Sequence, residues 1–260
     1  MNSKKTALIT GASSGIGYEL AWLFARDNYN LVLVARNEQQ LRHMANELQE
    51  VHDITVKVMV KDLTLACAPD EIFADLQHDN ITIDVLVNNA GFGNYGLFAE
   101  HDLSIELQMC QVNMVTLTHL TGLLLSGMLE KRAGKILNLV SLAAFEPGLL
   151  MAVYFATKAY VLSFSEALSN ELKGTGISVT VLCPGFVTTC FHKRAGADKS
   201  KMMQMPMLDA KTVAQLGYRA LMSGKVVVVT GLINKVTVLA LRFSPRALTR
   251  RSVRYLIRPA

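Results

Sequence analysis

Seven short apolar runs, each separated from the next by a segment of helix length, constrain this 260-residue chain more than any other feature. The runs are ALIT (7–10), LVLVA (31–35), TVKVMV (55–60), DVLVNNA (84–90), KILNLVS (135–141), SVTVLCP (178–184) and VVVVT (226–230). They are rich in β-branched residues and lack polar alternation, the pattern of strands covered on both faces. Helical periodicity fills the gaps at about 15–26, 37–50, 69–78, 103–130, 152–173 and 209–222. Parallel neighbours need a crossover, so the alternation predicts an α/β fold: one doubly wound sheet of seven parallel strands with helices on both faces. No linker or repeat divides it, and with 51% of residues hydrophobic and 18% charged a single large domain can be filled.

Other features bound the setting. The opening MNSKKTALIT reaches glycine after a handful of apolar residues with no small-residue cleavage pattern, unlike a signal peptide. Cysteines at 67, 110, 183 and 190 form no CxxC pair and lie near no histidine cluster, so they read as buried free thiols in a reducing, cytoplasmic setting, with no metal site. The net charge of +5 is uneven: from Ala210 to Ala260 there are ten bases and no acid, leaving −5 on residues 1–209.

After the first strand comes TGASSGIG (10–17), entering the helix YELAWLFAR. Gly11, Gly15 and Gly17 permit a tight turn and close approach of a pyrophosphate, which Ser13, Ser14 and Ile16 would flank at the positive helix N-terminus. The spacing is GxxxGxG, not the commoner GxGxxG, and an ordinary glycine-rich turn is the alternative. At the end of the second strand stands Arg36, where an acidic side chain would read a free ribose 2′-hydroxyl. A guanidinium suits a 2′-phosphate, which favours NADP(H) over NAD(H). Asp62 and Leu63, closing the third strand, fall on the same sheet edge, within reach of an adenine amino group and ring.

Tyr154 and Lys158 in VYFATKAY lie one helical turn apart on one face. The ammonium, with a positive nicotinamide ring, is expected to lower the phenol pKa and make it a usable acid or base. Ser141, at a strand end, can hold a carbonyl oxygen as charge develops there. TGASSGIG, NNAG (88–91), Asn113 in QVNMV, Ser141, YFATK (154–158) and PGFVTT (184–189) together resemble the short-chain dehydrogenase/reductase family, of the NADP-preferring type, over about residues 5–190. The resemblance implies a Rossmann-type fold with Tyr154 as proton donor, Lys158 also holding the nicotinamide ribose, and Asn113 anchoring a water that relays protons. In NNAG, Asn88 and the cofactor-site residue Asn89 can tie the fourth strand to its neighbour, while Ala90 and Gly91 leave room for the cofactor ribose; Pro184 and Gly185 turn the chain off the sixth strand, and Val187 and Thr188 resemble the family positions that bond the nicotinamide carboxamide.

Three stretches are expected to line the pocket: FGNYGLF, LAAFEPGLLMAV with Phe145, Leu149, Leu150 and Met151, and the methionine-bearing segment after PGFVTT. Their apolar character points to an apolar ketone or 3-oxoacyl substrate under a lid at 189–225, ahead of a last strand and helical extension at 226–260. In the tail, Arg246, Arg250, Arg254 and Arg258 repeat every four residues opposite Leu248, Val253, Leu256 and Ile257, a basic amphipathic helix suited to an anionic membrane surface, an acidic carrier protein, or simple docking on the core. Helix 152–173 with HLTGLLLSGML (119–129) is expected to build a homodimer or homotetramer. No basic stripe with interleaved aromatics suggests nucleic acid. The expected activity is reduction of a carbonyl by NADPH, or its reverse; an NAD-dependent hydroxy-compound dehydrogenase and a non-catalytic NADP(H) sensor are the alternatives.

Overall fold

The computed structural model describes residues 4–197 and 200–257, those at 202, 256 and 257 by backbone alone. It opens with β1 (Thr6–Thr10), α1 (Gly15–Arg26), β2 (Asn30–Ala35), α2 (Glu38–Val51), β3 (Val56–Val60), α3 (Ala68–His78) and β4 (Val85–Asn88). Then come α4 (Leu103–Cys110), a π-helical turn (Gln111–Thr116), α5 (Leu117–Lys131), β5 (Gly134–Leu139), α6 (Ala152–Glu171) and β6 (Ile177–Cys183). The chain closes with β7 (Val187–Thr188), α7 (Phe191–Arg194), β8 (Leu208–Asp209), α8 (Ala210–Met222), β9 (Val227–Val229), α9 (Leu232–Phe243) and α10 (Arg246–Ile257).

The seven long strands form one sheet, β3-β2-β1-β4-β5-β6-β9, every pair parallel, and β7 and β8 make a separate parallel pair. Because successive side chains alternate between faces, the uninterrupted apolar runs serve two cores. Ala7, Ile9, Leu31 and Leu33 pack under α1, α2 and α8 around Phe24, Leu41 and Tyr218, while Leu8, Val32 and Val34 pack on the other face with Ile72, Leu120 and Leu124 of α3 and α5. Side-chain caps fix helix starts: the Asn37 side chain accepts from Gln40 N at 3.0 Å, and that of Asp209 from Thr212 N at 2.7 Å. The strand order reverses beside β1, which makes the carboxyl side of β1 and β4 the switch point where open α/β sheets bind ligands.

The predicted Rossmann-type sheet is therefore present, with four differences. The helix expected at 103–130 breaks into α4, the π turn and α5, a local rewinding that often marks functional positions. The helical extension expected after the last strand is two helices, α9 and α10. Of the thiols only Cys183 is buried; Cys110 is half-buried, and Cys67 and Cys190 are exposed. The arginine helix exists as α10, but its buried residues are Thr249 and Val253 while Leu248 is exposed; Arg258 lies outside the described residues. Leu103–Lys131 is the one run among the described residues long and apolar enough to cross a membrane, and it packs here as a core helix with nearly half of its apolar window buried.

Candidate active site

The carboxyl edge is organised by the turn after β1. Gly11 adopts φ +64°, and a Cβ there would stand 2.8 Å from Asn89 Nδ2. Gly17 has ordinary φ, yet its Cβ would fall 2.5 Å from both Gly11 O and Asn89 Nδ2, so the turn and the first helical coil pack too closely for any side chain. Asn89 Nδ2 donates to Thr10 O (2.9 Å) and Gly11 O (3.1 Å), while Thr10 Oγ1 accepts from the N–H groups of Asn89 and Ala90, both at 3.0 Å. Asn88 ties β4 to β5 through Asn138 Oδ1 at 2.9 Å. These bonds hold NNAG against the glycine turn.

At the N-terminus of α1, Ser14 is extended and makes no side-chain cap, and no acidic residue occupies the first turn. The orphan N–H groups of Gly15, Ile16 and Gly17 thus meet no competing carboxylate, a fit for pyrophosphate. A Cβ on Gly15 would lie 3.2 Å from the Thr189 methyl, which places the PGFVTT segment against the same turn. Arg36 stands exposed at the end of β2 with no ion pair or hydrogen bond among the described residues. Asp62 Oδ1 accepts from Thr64 N (3.0 Å) and Thr64 Oγ1 (2.9 Å), which leaves Oδ2 for a donor. Leu63 is packed in the core beside α3 and α5, not displayed as an open platform for an adenine ring.

Ser141 follows β5 by two residues, and Tyr154 sits in the first turn of α6, which begins after the tight segment around Leu150 at φ +60°. The Ser141 hydroxyl, which accepts from Ala143 N at 3.2 Å, is near enough to the Tyr154 hydroxyl to favour its ionised form. Lys158 Nζ donates to Leu139 O at 3.0 Å and lies 5.7 Å from the Tyr154 ring centroid. Both side chains are almost fully buried, at 8% and 5% exposure. Burial pushes the phenol up to about 12, with the nearby Ser141 hydroxyl drawing it down, and pushes the Lys158 ammonium down to about 8. The sequence expects a phenol lowered by the ammonium together with a positive nicotinamide ring; in the cofactor-free chain burial is the largest influence on it and acts the other way.

Asn113 lies in the π turn with 1% exposure. Its Oδ1 accepts from Phe92 N (3.2 Å), and its Nδ2 donates to Phe92 O (3.0 Å) and Thr157 Oγ1 (3.1 Å). It therefore clamps the loop after NNAG onto α6. A Cβ on Gly91 would stand 3.0 Å from Asn113 Oδ1 and 3.5 Å from Lys158 Nζ, so the absence of a side chain keeps a space open between the two.

The three stretches expected around the pocket do converge. Tyr95 N donates to Ala195 O and Gly96 N to Leu150 O, both at 2.9 Å, stitching FGNYGLF to α7 and to the loop before α6. The Phe191 ring of α7 lies 5.3 Å from that of Tyr154, and a Cβ on Gly93 would touch Met151 Cε (2.9 Å) and Phe191 Cζ (3.0 Å). An apolar cap thus covers the phenol. Met151 belongs to it, Leu149 is half-buried nearby in sequence, and Phe145 packs elsewhere, with Leu117, Val140 and Val161. Between α9 and α10 a groove of about 550 Å³ is walled by Leu232, Val236, Leu248 and Val253 with Glu146 at its side. Val253 also packs in the Tyr154–Met151 cluster, and burial pushes the Glu146 carboxyl up to about 7.

Pro184 O accepts from Leu142 N at 2.9 Å, joining the PGFVTT turn to the Ser141 loop. A Cβ on Gly185 would lie 2.4 Å from Asn234 Nδ2 of α9, so this glycine lets α9 dock. Val187 is buried and paired with Leu208, and Thr188 is exposed beside it. Sequence reasoning overlooked Thr10, Gly93, Thr157 and Phe191. Thr10 lies inside the quoted glycine motif and could have been found there; the aromatic cap has no local signal. Among the described residues no group of three or more His, Cys, Asp or Glu side chains could hold a metal.

Residues 5–200 match the family described as short chain dehydrogenase. A curated relative, the ketoacyl reductase HetN of Nostoc sp., is 33% identical over 184 residues, 71% of this chain and 64% of that protein. A short-chain dehydrogenase from Sphingobium yanoikuyae, solved in complex with NADPH, superposes with TM-score 0.84 at 30% identity, covering 95% of both chains. The bulky-bulky ketone specific alcohol dehydrogenase from Comamonas testosteroni gives 0.78 at 30% identity over 92% of both. With the glycine turn, NNAG and the Ser–Tyr–Lys cluster all assembled on one sheet edge, the chain belongs to the short-chain dehydrogenase family of oxidoreductases.

Proposed function

We propose that this protein is an NADP(H)-dependent enzyme that reduces an apolar ketone or 3-oxoacyl group to an alcohol, or runs the reverse oxidation. The observation that carries the reading is the Ser141–Tyr154–Lys158 cluster, buried under an apolar cap on the same sheet edge as the uncapped N-terminus of α1. NADPH, when bound, supplies the hydride. The Ser141 and Tyr154 hydroxyls hold the carbonyl oxygen, and Tyr154 gives its proton to that oxygen as negative charge develops on it. Lys158 favours the phenolate left behind and holds ribose hydroxyls, and Asn113 keeps the proton-relay space beside Gly91 in shape. Arg36 reads the 2′-phosphate, Asp62 the adenine amino group, and Val187 with Thr188 the carboxamide.

The unpaired Arg36 favours NADP(H) over NAD(H), in line with the NADPH held by the Sphingobium relative. The apolar cap and the groove beside it favour a large apolar substrate, and the names of the Nostoc and Comamonas relatives, a ketoacyl reductase and a bulky-bulky ketone specific alcohol dehydrogenase, support a keto group as the reacting centre. Residues 189–225 act as the lid, with Phe191 its contact to the phenol. The outward faces of the segments 119–129 and 152–173, which expose Leu129 and Tyr160, are the homo-oligomer surface. The protein works in the cytoplasm, at most peripheral to a membrane.

The test is loss of NADPH absorbance with purified protein against ketones graded from short and polar to long and acyl, with NADH in parallel. Oxidation of NADPH that rises with acyl length supports the reading. Equal turnover with NADH overturns the role of Arg36. Tight NADPH binding with no turnover on any ketone favours the sensor.

A further inference from the structure

We infer that α9 and α10 form a docking element for an anionic lipid surface, with α9 lying in the plane of the interface. The inference starts from which face of α9 is used for packing. Val238 is buried, Leu241 and Asn234 are half-buried, and Asn234 bonds Thr230 O at 2.7 Å where it meets Gly185. On the opposite side Leu232, Val236, Leu239 and Phe243 are exposed by 77%, 61%, 57% and 82%. Their spacing of four, three and four residues sets them in one stripe along the whole helix. Single exposed leucines are ordinary, but a contiguous stripe ending in an almost fully solvated Phe marks a contact surface.

Charge selects the partner. Lys235 and Arg242 run along one flank of the stripe, and α10 adds Arg246, Arg250, Arg251 and Arg254, all exposed and without an ion pair among the described residues. No acid occurs from Ala210 to Ala260. An acidic carrier would satisfy the arginines and leave the stripe wet, and a second copy would bring like charges together. An anionic bilayer satisfies both, with the stripe among acyl chains and the bases at the headgroups. At twelve residues α9 is about 18 Å long, too short to span a membrane, so it lies flat. The groove between the two helices, whose Val253 reaches the Tyr154 cluster, would then receive an apolar substrate from the bilayer; that consequence alone rests on the proposed function.

The experiment is co-sedimentation of the full chain with vesicles of phosphatidylcholine and with the same vesicles carrying phosphatidylglycerol, at low and high salt, without cofactor or substrate. Wild type should pellet with the phosphatidylglycerol vesicles and be released by salt. Leu239→Asp combined with Phe243→Asp, neither residue lining the groove, should weaken partitioning by about tenfold or more. Arg246→Glu with Arg250→Glu should weaken it by a similar factor on the anionic vesicles, on the order of fivefold per base removed. Thermal melts confirm that both double variants fold. Wild type left in the supernatant with both vesicle types overturns the inference. So does a Leu239→Asp/Phe243→Asp variant that pellets like wild type but changes oligomeric mass, because the stripe would then join copies of the chain. Because no turnover is read, failure here is separate from failure of the reductase reading.

Discussion

Replacing Lys158 by Met should make the folded protein more stable at neutral pH while abolishing its activity. Lys158 is 5% exposed, and burial brings its ammonium from an ordinary 10.5 down to about 8. A shift of that size means that the charged side chain sits in the fold at a cost of about 3 kcal/mol, an upper bound for so buried a group. Met keeps the aliphatic stem and removes the charge. Its own cost is the lost donor to Leu139 O, on the order of 1 kcal/mol. The net gain is about 2 kcal/mol, or a rise in Tm of roughly 4–8 °C for a chain of this size. The pH dependence has a definite sign. Below about 8 the lysine is protonated both folded and unfolded, and the penalty is complete. From about 8 to 10.5 the folded lysine loses its proton while the unfolded one keeps it, so the unfolded state binds more protons and wild-type stability rises with pH. Urea midpoints of both proteins, cofactor-free and at matched concentration, should therefore differ most at neutral pH and converge toward pH 10.5. A variant less stable than wild type at neutral pH, or a gap that does not narrow with rising pH, would refute the reasoning.

Further outcomes follow from the same geometry. Tyr154→Phe should lower turnover by about a thousandfold, the scale of a lost general acid, and leave the Kd for NADPH within about twofold in a fluorescence titration. Arg36→Asp should raise the KM for NADPH by about a hundredfold and narrow or reverse the preference over NADH, read from kcat/KM with each cofactor. For Glu146, whose carboxyl burial raises to about 7, ionisation costs stability as pH rises from 4.5 through 7. Glu146→Gln should therefore gain on wild type across that window in unfolding midpoints and match it below.

The sheet was legible because its signal is redundant: each strand is a β-branched run, and each gap carries helical periodicity bounded by residues such as Asn37 and Asp209 that cap the helix start. The site was legible where one motif fixes both a residue and its place, as with Tyr154 and Lys158 one helical turn apart. Phe191 escaped because its contact with Tyr154 spans 37 residues and depends on how loop 92–97 is stitched to α7. Phe145 was misplaced because a short helical turn after Ser141 directs it toward Val140 and Val161, and no local pattern announces such a turn. The break at Asn113 is equally silent, since the sequence from Leu103 to Lys131 is periodic enough for one continuous helix.

The direction in which burial moves the two titrating groups explains why the cap and the cluster belong together. Raising the Tyr154 phenol to about 12 keeps its proton in place at neutral pH, as the proposed donor to a carbonyl oxygen must do before the reaction. The same dry surroundings make the phenolate left after transfer costly, so a cation must stand near it, and Lys158 remains largely protonated at pH 7 even with its pKa at about 8. Burial without Lys158 would leave an acid that cannot release its proton; Lys158 without burial would act through water and be screened. In the proposed reaction the Phe191–Met151–Gly93 cap is thus part of the acid's chemistry as much as of the substrate pocket, and the stability that Lys158→Met should restore is what the buried ammonium is expected to cost the fold.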